Sequence, residues 1–75
     1  MQKGVVRWFN SQKGYGFITP DTGGEDAFVH FSAIQKSGLP GLVEGQLVEY
    51  ELVESRKGRY SADNLKLAEG RLLER

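Results

Sequence analysis

The sequence predicts an all-β fold, a small closed or nearly closed barrel of five antiparallel strands. Five short stretches carry the apolar, aromatic and β-branched residues typical of strands, and glycine, proline or polar residues separate them. No stretch has the length and periodicity of a substantial helix. An open sheet in a chain of only 75 residues would leave its edge strands unprotected, and closure into a barrel removes those edges.

The predicted strands comprise residues 3–10, 14–19, 27–31, 46–53 and 59–67. In the first strand, apolar residues occur in both sets of alternate positions, which would face opposite sides. We therefore expect either a β-bulge or a strand that is buried on both sides. In the fourth strand, Val48, Tyr50 and Leu52 should point inward. Glu49 and Glu51 should then point outward. Residues 32–34 are too short for a helix and should form one tight turn.

The composition indicates a single domain, with residues 1–68 as the barrel and residues 69–75 as a short tail dispensable for binding. Cysteine is absent, which excludes disulfides and thiolate metal sites and suits a cytoplasmic protein. Neither a membrane-spanning run nor a signal peptide is evident. We expect a monomer, with a dimer as the alternative. The formal net charge is zero, but Lys3, Arg7 and Lys13 should cluster near the aromatic platform that the second and third strands are predicted to form.

Rings alternate with glycine and aliphatic residues in the second and third strands. Strand periodicity places Tyr15 and Phe17 on one face and Ile18 on the other, and it separates Phe28 from Val29 in the same way. The aliphatic residues suffice for a core, so the rings should form a flat outer platform that stacks on unpaired bases. The stacking residues predicted for this platform are Tyr15, Phe17, Phe28, His30 and Phe31.

Further residues around the platform are candidates for the binding surface. Trp8 should form an edge of the platform rather than part of the core. Arg7 and Lys13 are candidates for phosphates or base edges, or for a solvated surface. Asn10 is a candidate for a base edge or a turn. The loop cations that would extend the electrostatic path, or simply be solvated, are Arg56, Lys57 and Arg59.

Enzymatic activity is not expected from this sequence. His30 is the single histidine and lies among rings, without a plausible catalytic serine or any cysteine beside it. It also lacks the partners that a structural zinc site needs, so no metal or other cofactor is expected. No phosphate-binding loop is present, so any melting of nucleic-acid structure should be passive and independent of ATP.

Three segments together resemble the nucleic-acid-binding motifs of the cold-shock domain. They are WFN at residues 8–10, KGYGFI at 13–18 and FVHFSAI at 28–34, and the resemblance covers roughly residues 2–68. It implies a free-standing bacterial cold-shock protein with a barrel of the oligonucleotide/oligosaccharide-binding type. It also implies binding of single-stranded RNA and DNA, with a role as an RNA chaperone and regulator of transcription or translation.

The sequence departs from the cold-shock pattern at a few positions. Tyr15 replaces a common phenylalanine, which should keep stacking, and Leu39 replaces a further phenylalanine in the long loop. Tyr60 and Ser61 replace a proline–glutamine pair, so the contacts made there by the family do not carry over.

The alternative function is a small β-barrel that binds a peptide or an oligosaccharide through the same rings.

Overall fold

The computed structural model describes residues 2–55 and 58–67. Its elements in chain order are β1 (Gln2–Asn10), β2 (Tyr15–Pro20), β3 (Ala27–His30), α1 (Phe31–Lys36), β4 (Leu47–Glu54) and β5 (Tyr60–Leu67). The strands close into a barrel in the order β1-β2-β3-β5-β4. The predicted five-stranded barrel is therefore confirmed. Arg56, Lys57 and the tail from residue 68 lie outside the described residues.

One strand pair in the barrel is parallel. β1 pairs antiparallel with β2 and β4, as do β2 with β3 and β4 with β5. β3 instead runs parallel to β5, with Phe28 opposite Ser61. Parallel neighbours need a long crossover connection, which α1, β4 and their loops supply here. The barrel is thus antiparallel, as predicted, except where β3 meets β5.

A β-bulge interrupts β1 at Arg7. Val6 pairs with Ile18 and Trp8 pairs with Phe17, so the register shifts between them. Val6 is buried, whereas both Arg7 and Trp8 are exposed. The extra residue thus changes which set of alternate side chains points into the core. This finding confirms the first of the two explanations for the mixed apolar pattern of β1.

The core is aliphatic apart from one tyrosine, and it excludes the predicted platform. Its buried members are Val6, Ile18, Ala27, Val29, Ile34, Leu42, Val48, Tyr50, Ala62 and Leu65. Ile18 and Val29 are fully buried, whereas Phe17 and Phe28 are half-buried on the outer face. The predicted alternation of β2 and β3 is therefore confirmed. Leu39 packs partly buried against this core.

The prediction of a mere turn at residues 32–34 is wrong, because a six-residue helix forms at Phe31–Lys36. β3 accordingly ends at His30, which has extended backbone and caps the helix. Its Nδ1 accepts a hydrogen bond from the backbone N–H of Ser32 at 3.1 Å. Capping and the burial of Ile34 together stabilise a helix too short to form alone. Within residues 2–55 and 58–67, no helix has the length and apolar character to cross a membrane.

The predicted alternation of β4 fails beyond Tyr50. Val48 and Tyr50 are buried as expected, but Leu52 is 38% exposed. The register between β4 and β5 shifts between Glu49 and Glu51, which breaks the strict period of two. The inward orientation predicted for Leu52 is therefore wrong.

Tyr50 carries a buried hydroxyl that makes no hydrogen bond within the described part of the chain. Burial, followed by the carboxylates of Asp21 and Asp26, raises the pKa of Tyr50 above its ordinary value of 10.0. In the unfolded chain Tyr50 ionises at that ordinary pKa, and in the folded chain it does so only at higher pH. Its contribution to stability is therefore complete below pH 10.0 and is lost as the pH rises further.

Tyr50→Phe should raise the free energy of unfolding at neutral pH by about 1 kcal/mol, because it removes an unsatisfied buried polar group. It should also reduce the loss of stability above pH 10.0. Urea midpoints of both proteins across neutral and alkaline pH measure the two effects. A lower midpoint for Tyr50→Phe at neutral pH would show that the hydroxyl is satisfied in the native state.

Candidate nucleic-acid interface

Five rings from three neighbouring strands form one cluster on the outer face of the barrel. This ring cluster consists of Trp8 on β1, Tyr15 and Phe17 on β2, and Phe28 and His30 on β3. Trp8 lies 5.7 Å from Tyr15 and 5.5 Å from Phe17, measured between ring centroids. Phe28 lies 5.6 Å from Tyr15 and 5.7 Å from Phe17. His30 completes the cluster at 6.3 Å from Phe28.

The rings of the cluster are tilted against one another. Their interplanar angles run from 35° between Tyr15 and Phe28 to 67° between Phe17 and Phe28. Tilted and edge contacts are favourable for aromatic pairs, and they do not cover a ring face to face. The array is therefore less flat than predicted, but it leaves ring faces for further aromatic groups. Trp8 is 37% exposed at one edge, where the sequence predicted it.

Gly16 allows β1 and β2 to approach closely beneath the ring cluster. It is buried, and it lies opposite Phe9 in the strand register. A Cβ atom there would collide with the backbone oxygen of Trp8 and would lie 2.8 Å from Phe9 Cα. Because Gly16 has no side chain, the two strands can approach closely enough for Trp8 on β1 to lie alongside Phe17 on β2.

Phe31 lies apart from the ring cluster. It is the first residue of α1, and its backbone N–H donates to the Gly14 oxygen at 2.8 Å. Among the described residues it makes no ring contact with the cluster, because β3 ends before it and the chain turns into the helix. Phe31 is half-buried, and its Cβ atom lies beside Gly14 in the turn before β2. Its stacking role stays a prediction.

Arg7 is held beside the cluster by an acidic residue. Its Nη1 donates to Asp26 Oδ2 at 2.9 Å, and Asp26 Oδ1 accepts from Thr19 Oγ1 at 3.0 Å. The Arg7 side chain is 63% exposed, so the pair stabilises the fold by only about 0–1 kcal/mol. A phosphate can therefore compete for this guanidinium at low cost.

The other predicted cations are less uniformly placed. Lys13 is exposed in the turn before β2, close in sequence to Tyr15. Arg59 is exposed and lines a cleft beside the cluster. Lys3 pairs in register with Glu49 of β4, away from the rings, so its predicted position near the platform is wrong. Any role of Arg56 and Lys57 stays a prediction, because both lie outside the described residues.

Asn10 forms the turn between β1 and β2. Its Oδ1 accepts hydrogen bonds from the backbone N–H groups of Gln12 and Lys13, both at 2.9 Å. Of the two roles predicted for Asn10, the structure supports the turn. This hydrogen-bonded turn also fixes the position of Lys13 at the end of the ring cluster.

A cleft of about 530 Å³ borders the cluster between β2, β3 and the start of β5. Phe17 and Phe28 form its wall on the cluster side, and Tyr60 and Ser61 contribute from β5. From the sequence, Tyr60 was recognised only as a departure from the cold-shock pattern. Its position was missed because it depends on the pairing of β3 with β5, for which the local sequence carries no signal.

The described residues show no arrangement suited to metal binding. No group of three or more histidine, aspartate or glutamate side chains in residues 2–55 and 58–67 is positioned to hold a metal ion. The Nδ1 of His30 lies 3.0 Å from Ser32 Oγ, in addition to its capping bond.

Comparison with known proteins identifies similar sequences along most of the chain. The model of the "'Cold-shock' DNA-binding domain" family matches residues 2–68. "Cold shock protein CspA" of Rhizobium meliloti (strain 1021) is 54% identical over 69 residues, which cover 91% of this chain and 100% of the relative. "Cold shock-like protein CspE" of Escherichia coli (strain K12) is 54% identical over 65 residues, covering 87% and 94%. "Cold shock-like protein CspC" of Shigella flexneri is 61% identical over 56 residues, covering 75% and 81%.

Proposed function

Since this chain belongs to the cold-shock domain family, we propose that it binds single-stranded RNA and DNA by stacking bases on the ring cluster. The observation that carries the proposal is the cluster itself, five rings that neighbouring ring contacts join into one group on the outer face of β1, β2 and β3. Every base has a π-face, so such a surface accepts unpaired bases with little dependence on sequence.

The position of the cluster relative to the core supports a binding role. Ile18 and Val29 are 0% exposed on the opposite face of the same strands, so the core is complete without the rings. Small domains rarely leave a contiguous apolar patch exposed unless it binds a partner. The exposed edge at Trp8 makes the cluster accessible from solvent.

The charge distribution supports stacking as the main source of affinity. The net charge is zero, and the described cations near the rings include Arg7, Lys13, Arg59 and Lys36. Arg7 already has a carboxylate partner that a phosphate must displace. Phosphate contacts should therefore add a modest, salt-dependent contribution to a binding energy that comes mainly from the rings.

The biological role that follows is that of an ATP-independent RNA chaperone and regulator of transcription or translation, acting as a monomer in the cytoplasm. A protein that binds only the open strand shifts the melting equilibrium by RT ln(1 + [L]/Kd), about 2.7 kcal/mol per site at a hundredfold excess over Kd. Several such sites along one RNA would melt a hairpin without an energy source.

The experiment that tests this function is an oligonucleotide titration at several salt concentrations. With about 2–4 phosphates neutralised, the slope of log K against log salt should be about −1.4 to −3. A peptide or oligosaccharide ligand would release no counterions from phosphates. A measurable affinity with a slope near zero, or tighter binding of a peptide or sugar than of the oligonucleotide, would transfer the proposal to that alternative.

A further inference from the structure

The last part of β4 has a strand neighbour on one side only. β1 pairs with β4 as far as Tyr50, which lies opposite Gln2. Residues 51–54 continue β4 beyond that point, and among the described residues they pair only with β5. Successive residues of a strand direct their backbone N–H and C=O groups to alternate sides, so about half of these groups point to the side without a partner strand. We call residues 51–54 the open edge of β4, because another strand can add to it.

The open edge offers apolar side chains as well as backbone groups. Leu52 is 38% exposed and Val53 is 43% exposed. Leu52 also lines a cleft of about 130 Å³, together with Tyr50 and Pro20. An added strand would direct alternate side chains to the two faces of the sheet, and those on the Leu52 face would lie over this cleft. Such an edge supplies affinity through its backbone, and the cleft beside it supplies specificity for a side chain.

The charges around the open edge are negative. Glu51 and Glu54 lie at its two ends and are exposed, and the exposed Glu25 lines the same cleft as Leu52. Glu51 accepts a hydrogen bond from the side chain of Asn64. Neither it nor the other two carboxylates forms an ion pair with a residue in the described part of the chain. A segment that adds to this edge therefore gains affinity if it carries lysine or arginine.

A second copy of this chain fits the open edge poorly. If two copies paired antiparallel about the centre of the segment, Leu52 would lie opposite Val53 of the second copy, and Glu51 would lie opposite its Glu54. Like charges directly opposite one another destabilise a strand pair. The two carboxylates thus act against self-association, as charged residues on exposed edges commonly do.

We propose that residues 51–54 of β4 bind an extended, basic segment of a partner protein by strand addition, with an apolar side chain of that segment in the cleft beside Leu52. The open edge lies on β4, whereas the ring cluster lies on β1, β2 and β3. The inference is therefore independent of the proposed function and goes beyond it. One chain can hold a nucleic acid on the rings and a protein segment on β4 at the same time.

The test uses a short capped peptide that alternates lysine and valine, titrated into the full chain at low salt and followed by nuclear magnetic resonance. We expect saturable shifts of the amide signals of residues 51–54, and slower hydrogen exchange of amides in this segment at saturation, because the added strand accepts their hydrogen bonds. A peptide that alternates glutamate and valine should produce neither effect. A saturating pyrimidine oligonucleotide should leave the affinity for the lysine–valine peptide within about twofold, because the two sites are separate.

The contribution of charge is tested by Glu51→Gln combined with Glu54→Gln. Glutamine keeps the size of the side chain and an acceptor oxygen but removes the negative charge. The affinity for the lysine–valine peptide should therefore fall about 2- to 30-fold, the equivalent of two cross-strand charge pairs. Glu44→Gln is the matched control, since Glu44 is an exposed glutamate before the start of β4 and outside the open edge. Its peptide affinity should not change.

Several results would overturn the proposal. They are the absence of shifts at residues 51–54, equal binding of the glutamate–valine peptide, shifts without slower hydrogen exchange, and unchanged affinity of the double variant. Protection of residues 51–54 that grows with protein concentration in the absence of peptide would assign the open edge to a second copy instead. Oligonucleotide binding by the ring cluster is measured separately by Trp8 fluorescence, so failure of this proposal and failure of the proposed function are distinguishable.

Discussion

Phe28→Ala should weaken oligonucleotide binding by about 1–3 kcal/mol, whereas its neighbour Val29→Ala should leave the affinity of folded molecules unchanged. Phe28 lies in the middle of the ring cluster, in contact with Tyr15, Phe17 and His30. Val29 is 0% exposed on the other side of the strand. One residue along the chain therefore separates a binding side chain from a core side chain.

Stability should respond in the opposite order. Val29→Ala deletes buried methyl groups and should lower the free energy of unfolding by about 1–3 kcal/mol. Phe28→Ala leaves no enclosed cavity, because Phe28 is only half-buried on the outer face, and it should cost less stability than Val29→Ala. Urea midpoints and oligonucleotide affinities, measured for both variants, give the four numbers that the prediction needs.

Phe17 and Ile18 provide the same contrast on β2. Phe17→Ala should reduce affinity, and Ile18→Ala should reduce stability, because Ile18 is 0% exposed while Phe17 contacts Trp8 and Phe28. If the two phenylalanine variants unfold while Ile18→Ala and Val29→Ala remain stable, the rings are the core, and the proposed function loses its foundation.

Gly16→Ala should destabilise the protein by about 3 kcal/mol, the upper end of the usual range for overpacking. The added methyl group would meet backbone atoms, the Trp8 oxygen and Phe9 Cα, which cannot rotate away as a flexible side chain can. For a domain of 75 residues, whose total stability is on the order of 5–10 kcal/mol, this is a large fraction. The urea midpoint measures the loss directly.

Gly24→Ala is the control for this substitution. Gly24 has a φ of +99° and no atoms within 4 Å of an added Cβ, so alanine there meets backbone strain but no collision. It should cost about 1–2 kcal/mol. A Gly16→Ala variant as stable as the original chain would show that β1 and β2 can separate, and the close approach of Trp8 to Phe17 would then not depend on glycine.

Local alternation explains why much of the site was predictable. In the second and third strands, adjacent residues face opposite sides of the sheet. Ile18 and Val29 could therefore be assigned to the core, and Phe17 and Phe28 to the surface. The mixed apolar pattern of β1 left two explanations, a bulge or a strand buried on both sides, and the structure has the bulge, at Arg7. These features depend on residues that are close together in the sequence, so the local sequence pattern is enough to predict them.

Features that depend on distant partners were not predictable. Asp26 binds Arg7 across nineteen positions in sequence, and nothing in either segment alone indicates the pair. The parallel contact of β3 with β5 brings Tyr60 to the cleft beside Phe28 in the same non-local way. The start of α1 was missed for a different reason, since its cap is His30 rather than one of the usual serine, threonine, aspartate or asparagine caps.

The most direct test of the central claim is a titration of Trp8 fluorescence with a short pyrimidine oligonucleotide and, in parallel, with the duplex of the same strand and its complement. Trp8 lies in the ring cluster and is 37% exposed, so a base that stacks there should change its emission. We expect the single strand to bind more tightly, by about 1–3 kcal/mol for each base that stacks, because paired bases cannot present their faces to the rings. Equal affinity for the duplex and the single strand would contradict the account.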